Sequence, residues 1–313
     1  MNKILRLSVF SVELLKDSPL ALICDGSNLM QRALHAHRHF DKATGEWNTL
    51  TTKDGRESGA LYGAIVTLST LVRQFRPTHV LWTSDWGQST ARLAMNSEYK
   101  ANRIHSDYDL SPQYEAFDTF LDLVGIRHYR EHGVEADDLM AAAAFKFSPE
   151  MPVVIVSADH DLRQLVSDRI SVLKPSMGSA PGAKEVLFTP KKIVEHYGLP
   201  AGRLPELWSL TGDSGDGIFG INGVGEKTAL KMLNQCGTLI DTIERHPKCR
   251  GWERQVWENY KMIRLTGEYA TFAVDLESCE FDKNEHSQAL VDHLSGWELD
   301  SVSGRLEEGE LWQ

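Results

Sequence analysis

The stretch "HGVEADDLMAAAA", residues 132 to 144, sets Glu135, Asp137 and Asp138 within four positions of one another, just before a run of small apolar side chains suited to a buried helix. One or two acidic residues there would be ordinary helix chemistry, accepting free backbone N–H groups and complementing the positive end of the macrodipole. A third adds repulsion, roughly 4 kcal/mol for two charges about 4 Å apart at an effective dielectric near 20. The excess asks for a cation.

More carboxylates follow the same logic. "SADHD" supplies Asp159 and Asp161, and the Gly-rich "LTGDSGD" supplies Asp213 and Asp216. Either pair alone reads equally as a helix cap or an Asx turn. With Asp25 and Asp85 the acidic positions number nine, and brought together they could not stay unpaired. Oxygen ligands without histidine or cysteine select hard cations, Mg²⁺ or Mn²⁺, and two such ions about 4 Å apart form the usual clamp for in-line phosphodiester hydrolysis.

Two basic motifs complement the acidic set. "SEYKANR" follows Asp85 with Tyr99, Lys100 and Arg103. Lys100 could neutralise charge developing on a scissile phosphate and Tyr99 could stack on a base, or the motif is a solvated basic helix start. "GINGVGEKTALKML", residues 220 to 233, fails as a P-loop because Glu226 stands where lysine should follow Gly225, and as a dinucleotide fingerprint because Thr228 replaces the last glycine. What remains is a tight turn at Gly223 and Gly225 into a helix start, with Lys227 and Lys231 one turn apart. Its amides can hold a DNA phosphate without reading bases, or it is a plain interhelical turn.

The elements that must position these groups are legible. "LALIC" (20 to 24), "THVLWTS" (78 to 84) and "PVVIVSA" (152 to 158) are continuous and short, as buried parallel strands are, and each is followed at once by an aspartate: Asp25, Asp85 and Asp159. In an open parallel α/β sheet the ligand site lies beyond the carboxyl ends of the strands, so all three would reach one edge. A shorter strand at "GIRHYR" (125 to 130) would bring Glu135, Asp137 and Asp138 there too. "ESGALYGAIVTLSTLVRQF" and "QYEAFDTFLDLVG" carry helical spacing, and residues 38 to 59 read as a surface hairpin or loop. From Phe188 the pattern turns all helical; from Asp282 it is acidic and weakly patterned. The predicted architecture is α/β, with a mainly parallel central sheet, flanking helices and an added helical region.

Bulk properties limit the setting. The chain has 313 residues, 44 acidic against 33 basic, and a net charge of −11, which looks wrong for gripping a polyanion unless bound cations reverse the local sign. Cys24, Cys236, Cys249 and Cys279 form no C-x-x-C pair, which fits a reducing cytoplasm. Glu13 and Lys16 interrupt the apolar N-terminus, which argues against a signal peptide, and no stretch approaches membrane-spanning length.

In order and rough spacing, "CDGSNLMQRALHA", "SGALYGA", "SEYKANR", "GVEADDLMA", "VSADHDLRQLV" and "LTGDSGDGIFGINGVGEKTALKML" resemble the 5′-nuclease (flap endonuclease) family over about residues 19 to 280. The likeness is greatest to free-standing bacteriophage 5′-3′ exonucleases and to the 5′-nuclease domain of bacterial DNA polymerases. It implies a PIN-like core at 19–187, with an arch segment at about 100–123, and a helix-three-turn-helix duplex-binding region at 188–281. Residues 1–18 would be an N-terminal extension and 282–313 an acidic tail, a segment for a replication-protein partner.

It also implies a monomeric enzyme of DNA replication or repair in a bacterial or phage-infected cell, cutting 5′ flaps, nicked or 5′-ended duplexes and in some members RNA primers, with two Mg²⁺ or Mn²⁺ ions. Asp25, Asp85, Glu135, Asp137, Asp138, Asp159, Asp161, Asp213 and Asp216 each stand in a matching motif. Lys100 and Arg103 resemble the family's catalytic basic pair, and Arg32 its phosphate-contacting arginine on the first helix. The loop at 220 to 228 resembles a helix-hairpin-helix whose carbonyls hold K⁺.

Two departures stand out. Gly217 and Phe219 replace the usual asparagine and proline, and Ile104 to Leu123 contains no lysine or arginine while carrying Asp107, Asp109, Glu115, Asp118 and Asp122. Guidance of a single strand through the arch would then be weak. The alternatives are a structure-specific DNA-binding protein without catalysis and a metal-dependent phosphatase for small molecules.

Overall fold

In chain order the first part runs β1 (Ala21–Asp25), α1 (Gly26–His37), β2 (Arg38–Asp41), β3 (Glu46–Thr49), α2 (Gly59–Phe75), β4 (His79–Thr83), α3 (Thr90–Met95), α4 (Ser111–Leu123), β5 (Arg127–Tyr129), α5 (Ala136–Phe147), β6 (Val153–Val156), β7 (Ile170–Lys174) and β8 (Val186–Phe188). There follow α6 (Pro190–Tyr197), α7 (Leu204–Thr211), β9 (Gly212–Asp213), β10 (Ile218–Phe219), α8 (Glu226–Cys236), α9 (Leu239–Arg245), α10 (Glu253–Ile263), α11 (Gln288–Gly296) and α12 (Asp300–Glu307). This computed structural model describes residues 18–43, 45–103, 108–176, 185–282 and 287–312. Of the expected extension at 1–18, residues 1–17 lie outside them.

Six strands form the central sheet in the order β5-β4-β1-β6-β7-β8, parallel except for β8. Alternate residues of each strand feed two separate cores. Leu22, Cys24, Val80, Trp82, Val154 and Val156 pack under α1, α2 and α4, while Ala21, Ile23, Leu81, Val153 and Ile155 pack under α5 and the helical region. Burial on both faces is why these strands read as unbroken apolar runs. Within residues 38 to 59, read as a surface hairpin or loop, Arg38–Asp41 and Glu46–Thr49 form the antiparallel pair β2–β3.

Two readings of the sequence are corrected, and the helix expected at "QYEAFDTFLDLVG" is found within the arch segment. Phe188, taken as the start of an all-helical region, ends strand β8, which pairs with β7 through Phe188 and Val172. The acidic arch segment is, over its second half, the packed helix α4: Phe117, Phe120 and Leu121 are fully buried, and Asp118 faces His128 and Arg130 of the β5 segment. Its acidic residues are the outer face of a core helix, which needs no basic side chain. Ile104 and Asp107 lie outside the described residues. The acidic "tail" is also part of the core, since Leu290, Leu294, Val302, Leu306, Leu311 and Trp312 are buried against the α2–α4 layer. His293 bonds the Ala116 carbonyl at 2.9 Å. Among the described residues, no helix is long and apolar enough to cross a membrane.

Candidate metal and phosphodiester site

The parallel register brings the strand ends level. Asp25 closes β1 opposite Thr83, and Asp85 and Asp159 follow the ends of β4 and β6 on either side of it. Asp25 caps α1, accepting from the Asn28 amide at 3.0 Å, and its other oxygen accepts from the Ser157 hydroxyl at 2.5 Å. A side chain at the next position is impossible: a Cβ on Gly26 would stand 2.0 Å from Trp82 Nε1. Asp85 accepts from the Ala136 amide at 2.8 Å, pinning the start of α5 to the end of β4. This bond carries Asp137 to the rim.

Asp159 and Asp161 form a tight turn after β6, with the Asp161 amide donating to Asp159 Oδ1 at 2.9 Å. Asp213 and Asp216 come from the β9–β10 turn, where Gly212 and Gly220 meet backbone to backbone. A Cβ on Gly212 would lie 2.2 Å from the Gly220 nitrogen. Larger residues at either glycine would push both aspartates away from the rim.

The carboxylates act on one another. Burial lifts the Asp25 carboxyl to about 7, against the pull of Ser157 and Asn28 and with help from Asp85 and Asp159. Burial, Asp159 and Asp25 push Asp137 well above the ordinary carboxylate range; burial, Asp159, Asp213 and Asp216 do the same to Asp161. Lys100 and Arg92 only partly offset this set of desolvated carboxylates, and a divalent cation would supply the positive charge it still needs. Asp159, His160 and Asp161 bring ligand atoms within 4.8 Å of one another, a group able to hold a metal ion.

The remaining acidic positions are engaged differently. Lys100 pairs with Glu135 and lies 3.6 Å from Asp216, and Arg103 pairs with Asp216. Burial opposes the Lys100 charge, but Glu135 and Asp216 hold it above its usual range. Lys100 adopts a left-handed backbone, φ 56°, its amide bonded to the Asp216 carbonyl at 3.0 Å. The two basic residues and Glu135 line a cavity of about 240 Å³ that opens beside Asp85.

Two expected roles fail. Tyr99 does not present its ring to a base: it is 6% exposed, with its hydroxyl 3.1 Å from Asp216 and 3.2 Å from Glu135. Asp138 is not free to hold a metal, because Arg92 grips it from both guanidinium amino groups and no part of it reaches solvent. Arg92 was not found from sequence, since a lone arginine in "STARLAM" carries no signal. His160 was also missed, although its place inside "SADHD" could have flagged it.

Away from the rim, Arg32 donates to the Pro175 carbonyl at 3.2 Å and keeps partial exposure. The 221–225 turn has Gly223 at φ +72°, and Gly225 caps α8. Ile221 and Val224 bury the base of this turn, which leaves Gly223, Gly225, Lys227 and Lys231 exposed and Thr228 partly so.

Comparison with known proteins bears on this arrangement. The model of the 5′-3′ exonuclease N-terminal, resolvase-like domain matches residues 20–198, and that of the 5′-3′ exonuclease C-terminal SAM fold matches residues 199–290. The DNA polymerase I of Mycobacterium tuberculosis is 35% identical over 234 residues, 74% of this chain and 25% of the polymerase. The 5′-3′ exonuclease of Bacillus subtilis is 32% identical over 228 residues, covering 71% of this chain and 72% of that protein. The chain thus spans about a quarter of the length of the DNA polymerases I it matches. Among solved structures, a bacteriophage T5 flap endonuclease complex with DNA and metal ions superposes with a TM-score of 0.61 at 20% identity, over 93% of this chain and 99% of that one. The catalytic core of Rad2 with DNA substrate gives 0.58 at 14% identity, over 95% and 93%. These last two likenesses speak for the fold.

Proposed function

Because the chain belongs to the 5′-3′ exonuclease family, we propose that it is a metal-dependent, structure-specific 5′-nuclease that hydrolyses phosphodiester bonds at 5′ flaps, nicks and 5′ ends of duplex DNA, and at RNA primers paired to DNA. The observation that carries this reading is the meeting of Asp25, Asp85, Asp137, Asp159, Asp161 and Asp213, from separate segments, at one rim beside Lys100 and Arg103. Loss of catalysis would call for a missing carboxylate, and all nine positions carry one.

On this reading the rim holds two Mg²⁺ or Mn²⁺ ions, which when bound supply an activated water and neutralise the leaving oxygen. Asp25, Asp137 and Asp159 hold one side of the site, and Asp161 and Asp213 the other. Lys100 and Arg103, which rest on Glu135 and Asp216 in the free protein, turn to the oxygens of the scissile phosphate as charge develops there. The exposed turn at Gly223 and Gly225, with Lys227, Thr228 and Lys231, grips the duplex backbone by amides and charge, and its carbonyls would hold a K⁺ ion that adds positive charge on that side. Arg32 adds a second phosphate contact. Residues 19–187 serve as the nuclease core and 188–281 as the duplex-binding region; within 282–313, the described residues 287–312 pack on the core, and this segment is read as support for it rather than as a free arm for a partner. The protein acts as a monomer in the cytoplasm, in replication or repair.

The test is an end-labelled 5′-flap substrate with Mg²⁺. Cutting near the branch is expected, and Asp159→Asn should abolish it while sparing most of the DNA binding. Normal cutting by the variant would overturn the assignment.

A further inference from the structure

His160 is used by none of the roles above. It stands in the turn between Asp159 and Asp161, its ring edge-on to the buried indole of Trp208, with centroids 5.0 Å apart and planes at 88°. That contact orients the imidazole along the acidic rim. Nε2 lies 3.3 Å from Asp161 Oδ1 and 3.7 Å from Asp213 Oδ2, and Nδ1 lies 3.8 Å from Asp159 Oδ1.

A charge-assisted hydrogen bond would draw nitrogen and oxygen to roughly 2.7–2.9 Å, closer than any of these. Neighbouring donors around an octahedral ion with bonds of about 2.1–2.3 Å stand about 3.0–3.3 Å apart. The 3.3 Å separation of Nε2 from Asp161 Oδ1 falls at that spacing, and Asp213 lies just beyond it. Imidazole nitrogen is a poor ligand for Mg²⁺, which takes oxygen, and a good one for first-row transition ions.

We propose that His160 Nε2, beside Asp161 Oδ1, ligates the ion on this side of the rim and shifts the site's selectivity from Mg²⁺ towards transition divalent cations such as Mn²⁺. The inference rests on the metal-centre reading given above and adds to it a nitrogen ligand from the "SADHD" turn. Trp208 acts as a positioning residue by holding the ring on edge.

The full chain and His160→Gln would be titrated with Mn²⁺ and with Mg²⁺ by calorimetry, and the Mn²⁺-loaded proteins examined by electron spin-echo envelope modulation for coupling to nitrogen. The wild type should show ¹⁴N modulation that the variant lacks. Mn²⁺ affinity should fall at least about tenfold in the variant, a loss of the size that disturbed metal sites show, with Mg²⁺ affinity changed by less than about threefold. Mn²⁺ bound to the wild type without ¹⁴N modulation, or an equal loss for both ions, would overturn the inference and leave the metal centre standing. A wild type that binds no Mn²⁺ would sink both. The wild-type spectrum keeps the proposal testable even if the variant does not fold.

Discussion

Arg92 and Asp138 form a bidentate ion pair out of reach of solvent, with Nη2 3.1 Å from Oδ1, and the same guanidinium reaches Glu135 at 2.6 Å and the Met262 carbonyl at 3.0 Å. One arginine thus ties the start of α5 to the end of α10. Breaking such a pair from one side leaves a buried charge, at a cost of roughly 3–5 kcal/mol. Arg92→Met should lower urea stability by about that amount, and the Arg92→Met/Asp138→Leu double variant should recover part of it. Asp138→Asn should destabilise the protein without changing the number of Mn²⁺ ions bound. A loss of one ion would return Asp138 to the ligand set.

On the proposed reading, Lys100 meets charge that appears only in the transition state. Lys100→Met should lower the single-turnover cleavage rate by about 10²–10³-fold, the range for losing one preorganised electrostatic donor, while DNA affinity changes little. An affinity loss with an unchanged rate would make Lys100 a binding residue instead.

The Asp25 carboxyl, lifted to about 7 by burial, ionises near 4 in the unfolded chain. Between those values the folded, metal-free protein keeps a proton the unfolded chain has lost, so its stability falls as pH rises through that window. Asp137 and Asp161 are shifted in the same direction. The Tm of EDTA-treated protein should fall between about pH 4 and about pH 7, and Mn²⁺ should raise it more at the upper end. Asp25→Asn should flatten the slope; an unchanged slope would assign the pH dependence to other groups.

Leu294 and Leu306, on α11 and α12, are buried in the same core as the α2–α4 layer. Either Leu→Ala change should cost about 2–5 kcal/mol in denaturant unfolding, as in other cores. A cost near zero would mean these helices are dispensable.

How much of this was legible in the sequence depended on the kind of signal. The strands ending in Asp25, Asp85 and Asp159 were readable because burial on both faces leaves an unbroken apolar run, and the parallel rule then fixes the edge. Strands β7 and β8 were not: "ISVLK" mixes serine and lysine into its apolar residues, and "VLF" is only three residues long. The C-terminal helices hid behind acidic surface residues, since Leu290, Leu294, Val302 and Leu306 are separated by charged and polar positions. Side-chain pairing was beyond reach. Nothing local says that Arg92 will neutralise Asp138, 46 positions away, or that the Tyr99 ring will be buried. Gly212 and Gly220 looked like loop residues, and only the three-dimensional contact gives the reason that both must lack a side chain.

The central claim is that carboxylates distant along the chain share one cation site, and crystals grown with Mn²⁺ test it most directly through anomalous scattering. The account predicts two Mn²⁺ peaks about 4 Å apart within reach of Asp25, Asp137, Asp159, Asp161 and Asp213. A map without a peak among these side chains, at Mn²⁺ concentrations that support cleavage, would contradict it.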